Sequence, residues 1–290
     1  MSTAQIQPYF LTTAATRKFK QTPRGVYTAE TMQPLLIYLP GMDGTGQLFG
    51  NQTREIGREF EVRCLAIPPL LLMSWDALTV AVIKLIEIEI ASCSAKRMVY
   101  LCGESFGGCL ALKVATYAPE LFDRIILVNP AIALSRQPWL GLGGRALTWV
   151  PDLMYELSAV AFLPFLAALE RYDPKDGLNL LAAMQTVPKA TSMWRVSMLQ
   201  GFELEKLSFD KLFQPVLMIA SGADRLLPSV TDARYLLDKL PKAELAILPN
   251  SGHACLLEKD VSLYQIMQDR HFLPRSQDHK ATRKPIDLSQ

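Results

Sequence analysis

The residues best suited to chemistry sit in "VYLCGESFGGCL", residues 99 to 110, where Ser105 stands between two glycines at the end of an apolar run. Gly103-Glu104-Ser105-Phe106-Gly107 fits G-x-S-x-G, a turn that reverses a strand into a helix and holds the serine out on strained backbone. The flanking glycines remove side chains that would clash inside such a turn. At ordinary Gly and Ser frequencies the pattern arises by chance in roughly one chain of this length in ten, so its surroundings must carry the argument. A serine hydroxyl is a poor nucleophile until a base takes its proton and an acid orients that base. Downstream, "VLMIASGADRLLPS" offers Asp224 and "AILPNSGHACLLE" offers His253, each just after a strand-like run. The order Ser, Asp, His and the post-strand positions match what a parallel α/β sheet requires of such a triad.

Other acids and histidines fit less well. Asp123 precedes its strand, at the opposite edge of a sheet, and Asn129 occupies a post-strand position where an acid would have served. His271 and His279 fall in or beside a polar tail. Charge developing on a carbonyl oxygen needs donors, usually two backbone N–H groups. Phe106, at the start of the helix after the serine, supplies one. Met42, in the glycine-rich loop "LPGMDGTG" (39–46), is the choice for the other. Asp43 beside it would repel an oxyanion, so its carboxylate is expected to turn away and brace the loop. The loop lacks both G-K-[ST] and G-x-G-x-x-G, which argues against a nucleotide cradle.

Six apolar segments read as buried strands: 35–41, 61–67, 98–103, 124–130, 215–222 and 243–250. Helical stretches alternate with them. "SWDALTVAVIKLIEIEIASC" (74–93) starts on Ser74 as an N-cap, and the helix after Ser105 should stop before Pro119. Such alternation means right-handed βαβ crossovers, and hence an α/β fold with a mostly parallel central sheet and helices on both faces. Residues 131 to 208 break the rhythm. They are apolar and helix-like, hold Trp139, Trp149 and Trp194, and read as a helical cap inserted above the strand ends.

The 290 residues carry 30 basic and 28 acidic side chains, a balance that gives no reason to expect a nucleic-acid partner. Five scattered cysteines and three histidines make no metal-ligand spacing, so no metal and no cofactor are expected. The N-terminus has no signal-peptide h-region. Its Ser/Thr/Ala-rich, acid-poor composition weakly matches an organellar transit segment, set against a tail leading into an edge strand. The run 157–169 is too short to span a bilayer and contains Pro164.

"LPGMDGTG", "GESFGG", "SGADRLLPS" and "NSGH" together resemble the α/β-hydrolase superfamily. "YLPGMDGTG", "FEVRCLAIP" and "LCGESFGGCLAL" resemble more closely the esterase half of phytyl ester synthase-like proteins of photosynthetic organisms. The resemblance covers about residues 34 to 260 and implies an α/β-hydrolase domain over 34–270, between an extension at 1–33 and a polar tail at 271–290. It implies a serine esterase working on a lipophilic acyl ester through an acyl-enzyme. Many members of that group add an acyltransferase domain with an H-x4-D motif. Neither His271 nor His279 is followed by Asp at that spacing, so the expectation is hydrolysis, with formation of phytyl or other fatty esters as the alternative. A non-catalytic binding or membrane-docking protein on the same fold is the rival from another class. The expected location is the cytoplasm, with peripheral membrane contact through the cap as an option, or a plastid if the N-terminal segment is a transit peptide.

Overall fold

Alternating strands and helices build one twisted sheet in a computed structural model that describes residues 7–11, 33–93, 96–137, 160 and 163–274. The strands are β1 (Tyr9–Leu11), β2 (Leu35–Leu39), β3 (Glu61–Ala66), β4 (Val99–Glu104), β5 (Arg124–Val128), β6 (Val216–Ser221) and β7 (Ala243–Leu248). Their order across the sheet is β1-β3-β2-β4-β5-β6-β7. β1 pairs antiparallel with β3, and the other pairings are parallel. All six strands expected from the sequence form; five end short of their apolar runs, while β4 goes one residue past its expected end, to Glu104. The residues left over, such as Pro40, Asn129 and Gly222, enter the loops that carry the site.

Every residue of β2, β4 and β6 is buried, as a parallel sheet covered on both faces demands. The two-residue period sorts the side chains. Leu35, Ile37, Leu39, Leu101 and Leu127 enter one core, and Leu36, Tyr38, Tyr100, Ile126 and Val128 enter the other. This is the α/β-hydrolase fold.

The covering helices follow local signals. The first, α1 (Gly50–Ile56), follows the glycine-rich loop. α2 (Trp75–Ala91) begins where Ser74 Oγ accepts the Ala77 N–H at 3.3 Å, the cap that the sequence predicts. α3 (Phe106–Tyr117) stops at Ala118, before Pro119, whose ring excludes continuation of the helix. Between β5 and β6 the described residues carry α4 (Ala133–Arg136), α5 (Pro174–Gln185) and α6 (Lys189–Gln200). Trp139, Trp149 and His279 lie outside the described residues. α7 (Ser229–Leu237) and α8 (Leu263–Asp269) complete the covering layers. Among the described residues no helix is long and apolar enough to cross a membrane.

Candidate active site

The turn from β4 into α3 is tight enough to force Ser105 to φ 54° and ψ −114°, a conformation that a non-glycine residue adopts only at a cost of about 1–3 kcal/mol. Surrounding contacts over-determine it. The Ser105 N–H donates to Val128 O at 2.9 Å, and Ser105 O accepts from Gly108 N and Ala131 N at 3.0 and 3.1 Å. The flanking glycines are required by close approach. A Cβ at Gly107 would lie 2.1 Å from Leu39 O, and one at Gly103 2.3 Å from Gly107 O.

Ser105 Oγ lies 2.8 Å from His253 Nε2, and His253 Nδ1 lies 2.7 Å from Asp224 Oδ2. The side chains of His253 and Asp224 are almost wholly buried. Asp224 Oδ1 accepts from the N–H groups of Leu226 at 2.8 Å and Leu227 at 3.0 Å, while Ser229 donates its hydroxyl to Oδ2. Burial alone would raise the Asp224 carboxyl. His253, Ser229 and the Leu227 amide outweigh it and hold the group below the usual aspartate value. Asp224 is therefore an anion placed to orient an imidazole. The structure thus brings together the serine, acid and histidine expected from the sequence. Asp123 instead accepts the Val99 N–H at the start of β4, at the other edge of the sheet. His271 lies just after α8 and, among the described residues, makes no hydrogen bond to Ser105, Asp224 or His253; its N–H donates to Gln268 O at 3.0 Å.

The two expected donors lie on segments next to the serine. Phe106 heads α3, its ring stacked on Trp75 at 4.8 Å, so its N–H belongs to the orphan set at a helix start. The loop carrying Met42 approaches the serine closely enough that a Cβ on Gly41 would lie 3.8 Å from Ser105 Cβ. Asp43 turns its Oδ2 onto the N–H and hydroxyl of Thr45, the first at 2.8 Å, bracing the loop. Burial raises the Asp43 carboxyl, which the Thr45 bonds and the nearby Arg195 oppose. A cavity of about 800 Å3 lies on the outer side of this loop, lined among others by Tyr9, Asp43, Gly44, Asp176 and Asn179. Neither Ser105 nor His253 lines it.

Several supporting residues escaped the sequence reading. Asn129, at φ 43°, donates from Nδ2 to His253 O at 2.7 Å and to Ser221 Oγ at 2.9 Å, fixing the histidine loop to the sheet. Glu258, fully buried, accepts the Gly252 N–H at 2.8 Å and pairs with Arg171 at 2.6 Å. Residues 166–172 press on the same loop: Ala254 N donates to Leu166 O at 2.9 Å and Tyr172 donates its hydroxyl to Ala254 O at 2.6 Å.

Glu104, just before the serine, is buried and accepts the Tyr38 hydroxyl. Burial pushes its carboxyl up to about 7, against the lowering effects of Tyr38 and His253. The unfolded chain releases this proton near the ordinary 4.5 and the folded chain near 7. Folding therefore takes up a proton between those values, and stability falls as pH rises through that window. The loss is expected to reach roughly 3 kcal/mol by neutral pH. Urea melts from pH 4.5 to 8 should show that slope in the wild type and lose it in Glu104→Gln. An unchanged slope in the variant rules Glu104 out as its source.

Residues 72–260 match the family model Hydrolase_4, described as serine aminopeptidase, S33. The chain belongs to that family. Among curated relatives it is 32% identical over 258 residues to phytyl ester synthase 1, chloroplastic, from Arabidopsis thaliana, covering 81% of this chain and 36% of that protein. It is 28% identical to the pimeloyl-[acyl-carrier protein] methyl ester esterase of Nitrosomonas europaea, covering 54% of this chain and 65% of that one. The chain thus spans little more than a third of the length of the chloroplastic relative. Among solved structures, a hydrolase from Oleispira antarctica superposes with a TM-score of 0.66 at 14% identity, covering 84% of this chain and 92% of that one, a likeness of fold.

Proposed function

We propose that this member of the Hydrolase_4 family is a serine-nucleophile ester hydrolase acting on a lipophilic acyl ester. The observation that carries the reading is the unbroken chain from Ser105 Oγ through His253 to the Asp224 anion. Ser105 Oγ attacks the acyl carbonyl as His253 Nε2 takes the hydroxyl proton. The N–H groups of Met42 and Phe106 stabilise the oxyanion that forms. Collapse of the tetrahedral species breaks the bond to the alcohol oxygen, which leaves with the proton from His253. Water, deprotonated by the same imidazole, then releases the acid from the acyl-enzyme.

An apolar acyl chain is supported by Met42, Leu134, Leu226 and Val230, which pack partly buried on the same core cluster as Phe106. Farther out, Val160, Phe165 and Leu169 present exposed apolar surface, which supports peripheral membrane contact through the same helical segment. Each methylene withdrawn from water contributes about 0.8 kcal/mol. kcat/KM is therefore expected to rise at least about tenfold from p-nitrophenyl acetate to p-nitrophenyl decanoate. A preference for acetate sinks the lipophilic assignment.

The likeness to two chloroplastic phytyl ester synthases favours a second reading, acyl transfer to a long-chain alcohol, and with it a plastid location. The acyl-enzyme is common to both. Supplying phytol with a long-chain acyl donor separates them: free acid as the main product supports hydrolysis, and phytyl ester makes the protein a transferase.

A further inference from the structure

Arg195 lies on α6, a helix whose chain neighbours Trp194 and Ser197 reach solvent, yet it is the largest fully buried side chain described, 2% exposed. A buried cation is expensive unless its surroundings use its donors. Here they do. Nη1 donates to Met42 O and Nη2 to Ile67 O at 3.3 Å. The guanidinium lies over Gly44, which sits at φ 68°; a Cβ there would meet Nη1 at 2.8 Å and Nη2 at 2.9 Å. Gly44 in turn donates to Gly41 O at 3.0 Å and accepts from Ile67 N at 2.7 Å. The loop that presents the Met42 N–H is thus wound around one arginine, with the Asp43 carboxylate near enough to favour its charge.

The helix that brings this arginine is strapped to the body of the protein. Thr191 donates its hydroxyl to Pro69 O, Trp194 Nε1 donates to Met73 O at 3.1 Å, and Trp75 Nε1 donates to Met198 O at 2.6 Å. Trp75 is also the ring stacked on Phe106. α6 therefore touches both candidate donors, Met42 through Arg195 and Phe106 through Trp75.

The geometry points to Arg195 as a positioning residue: by gripping the Met42 carbonyl it fixes the loop so that the Met42 N–H is aimed at the oxyanion, and it makes this alignment depend on the seating of α6. This rests on the ester-hydrolase reading of Ser105. An arginine in this role supports the transition state without contacting bound substrate. Its loss should lower kcat and leave KM nearly alone, on the scale of losing one oxyanion donor, about 10²–10³-fold.

The test compares wild type, Arg195→Met and Arg195→Lys on p-nitrophenyl decanoate. Two inhibitors of the same chain length accompany it: a trifluoromethyl ketone, which adds Ser105 to form a tetrahedral oxyanion, and an unreactive alkyl ether. Arg195→Met is expected to bind the ketone about 10²–10³-fold more weakly and the ether within about twofold of wild type. Arg195→Lys, which keeps the charge but not the two-carbonyl reach, should fall between. If Arg195→Met does not fold, Arg195→Lys carries the comparison, with a selective loss of ketone affinity as the supporting result. Equal weakening of both inhibitors, or undiminished ketone affinity in the folded variants, overturns the inference while leaving the hydrolase reading intact. A fluorophosphonate that fails to label wild-type Ser105 overturns both.

Discussion

Ser105→Ala is expected to fold as the wild type does and to lose ester turnover by about 10⁶-fold. The structure explains both halves of that expectation. The alanine keeps the backbone bonds that hold residue 105 at φ 54°, because Val128 O, Gly108 N and Ala131 N engage only main-chain atoms. The Oγ, by contrast, is the atom 2.8 Å from His253 Nε2 and the proposed nucleophile. A fluorophosphonate probe should therefore label the wild type at residue 105 and leave the variant untouched. Residual turnover or labelling in a pure Ser105→Ala preparation would place the chemistry elsewhere, since water attack aided by the remaining groups recovers only a small part of the rate.

The second large effect is Asp224→Asn, which is expected to lower kcat by about 10⁴-fold with little change in stability relative to removal of the side chain. The neighbours of Asp224 dictate how. Its Oδ1 accepts two main-chain N–H groups, from Leu226 and Leu227, so an asparagine must leave its carbonyl oxygen there. That choice turns the amide NH₂ toward His253 Nδ1, the position now held by Oδ2. The imidazole then accepts at Nδ1 and carries its proton on Nε2, facing Ser105 as a donor where a base is needed. His253→Ala should be nearly as damaging as loss of the serine, whereas Asp224→Asn leaves a histidine in place but in the wrong tautomer. Steady-state kinetics on a decanoate ester decide it. A variant within about tenfold of wild type assigns the orienting acid to another residue.

Much of this site was readable from the sequence because parallel α/β topology converts a sequence position into a place. A residue just after a strand lies at the C-terminal edge of the sheet, so Ser105, Asp224 and His253 are gathered by the strands they follow. What the sequence withheld depends on approach between distant segments. Nothing local in "TSMWRVSML" marks Arg195 for burial, and only the packing of α6 against the 39–46 loop buries it. Asn129 reads as an acid that is missing, while in the structure it is the clamp on the histidine loop. Glu258 offers no local signal at all, because its partners Gly252 and Arg171 meet it only after residues 166–172 fold over that loop. The brace made by Asp43 was legible, since a carboxylate two residues before a threonine in a tight turn has an obvious local partner.

The hydrogen bond between His253 and Ser105 joins residues 148 apart, and His253 follows β7, the strand at the far edge of the sheet. Between them the chain must cross the sheet by right-handed connections and dock β6 before β7 has an edge to pair with. During synthesis the serine leaves the ribosome long before the histidine that comes to lie beside it. On the proposed reading a nascent chain can therefore display a complete nucleophile turn and remain chemically silent until β7 is seated. Turnover, unlike helix content or burial of tryptophan, is a property that only the finished topology possesses.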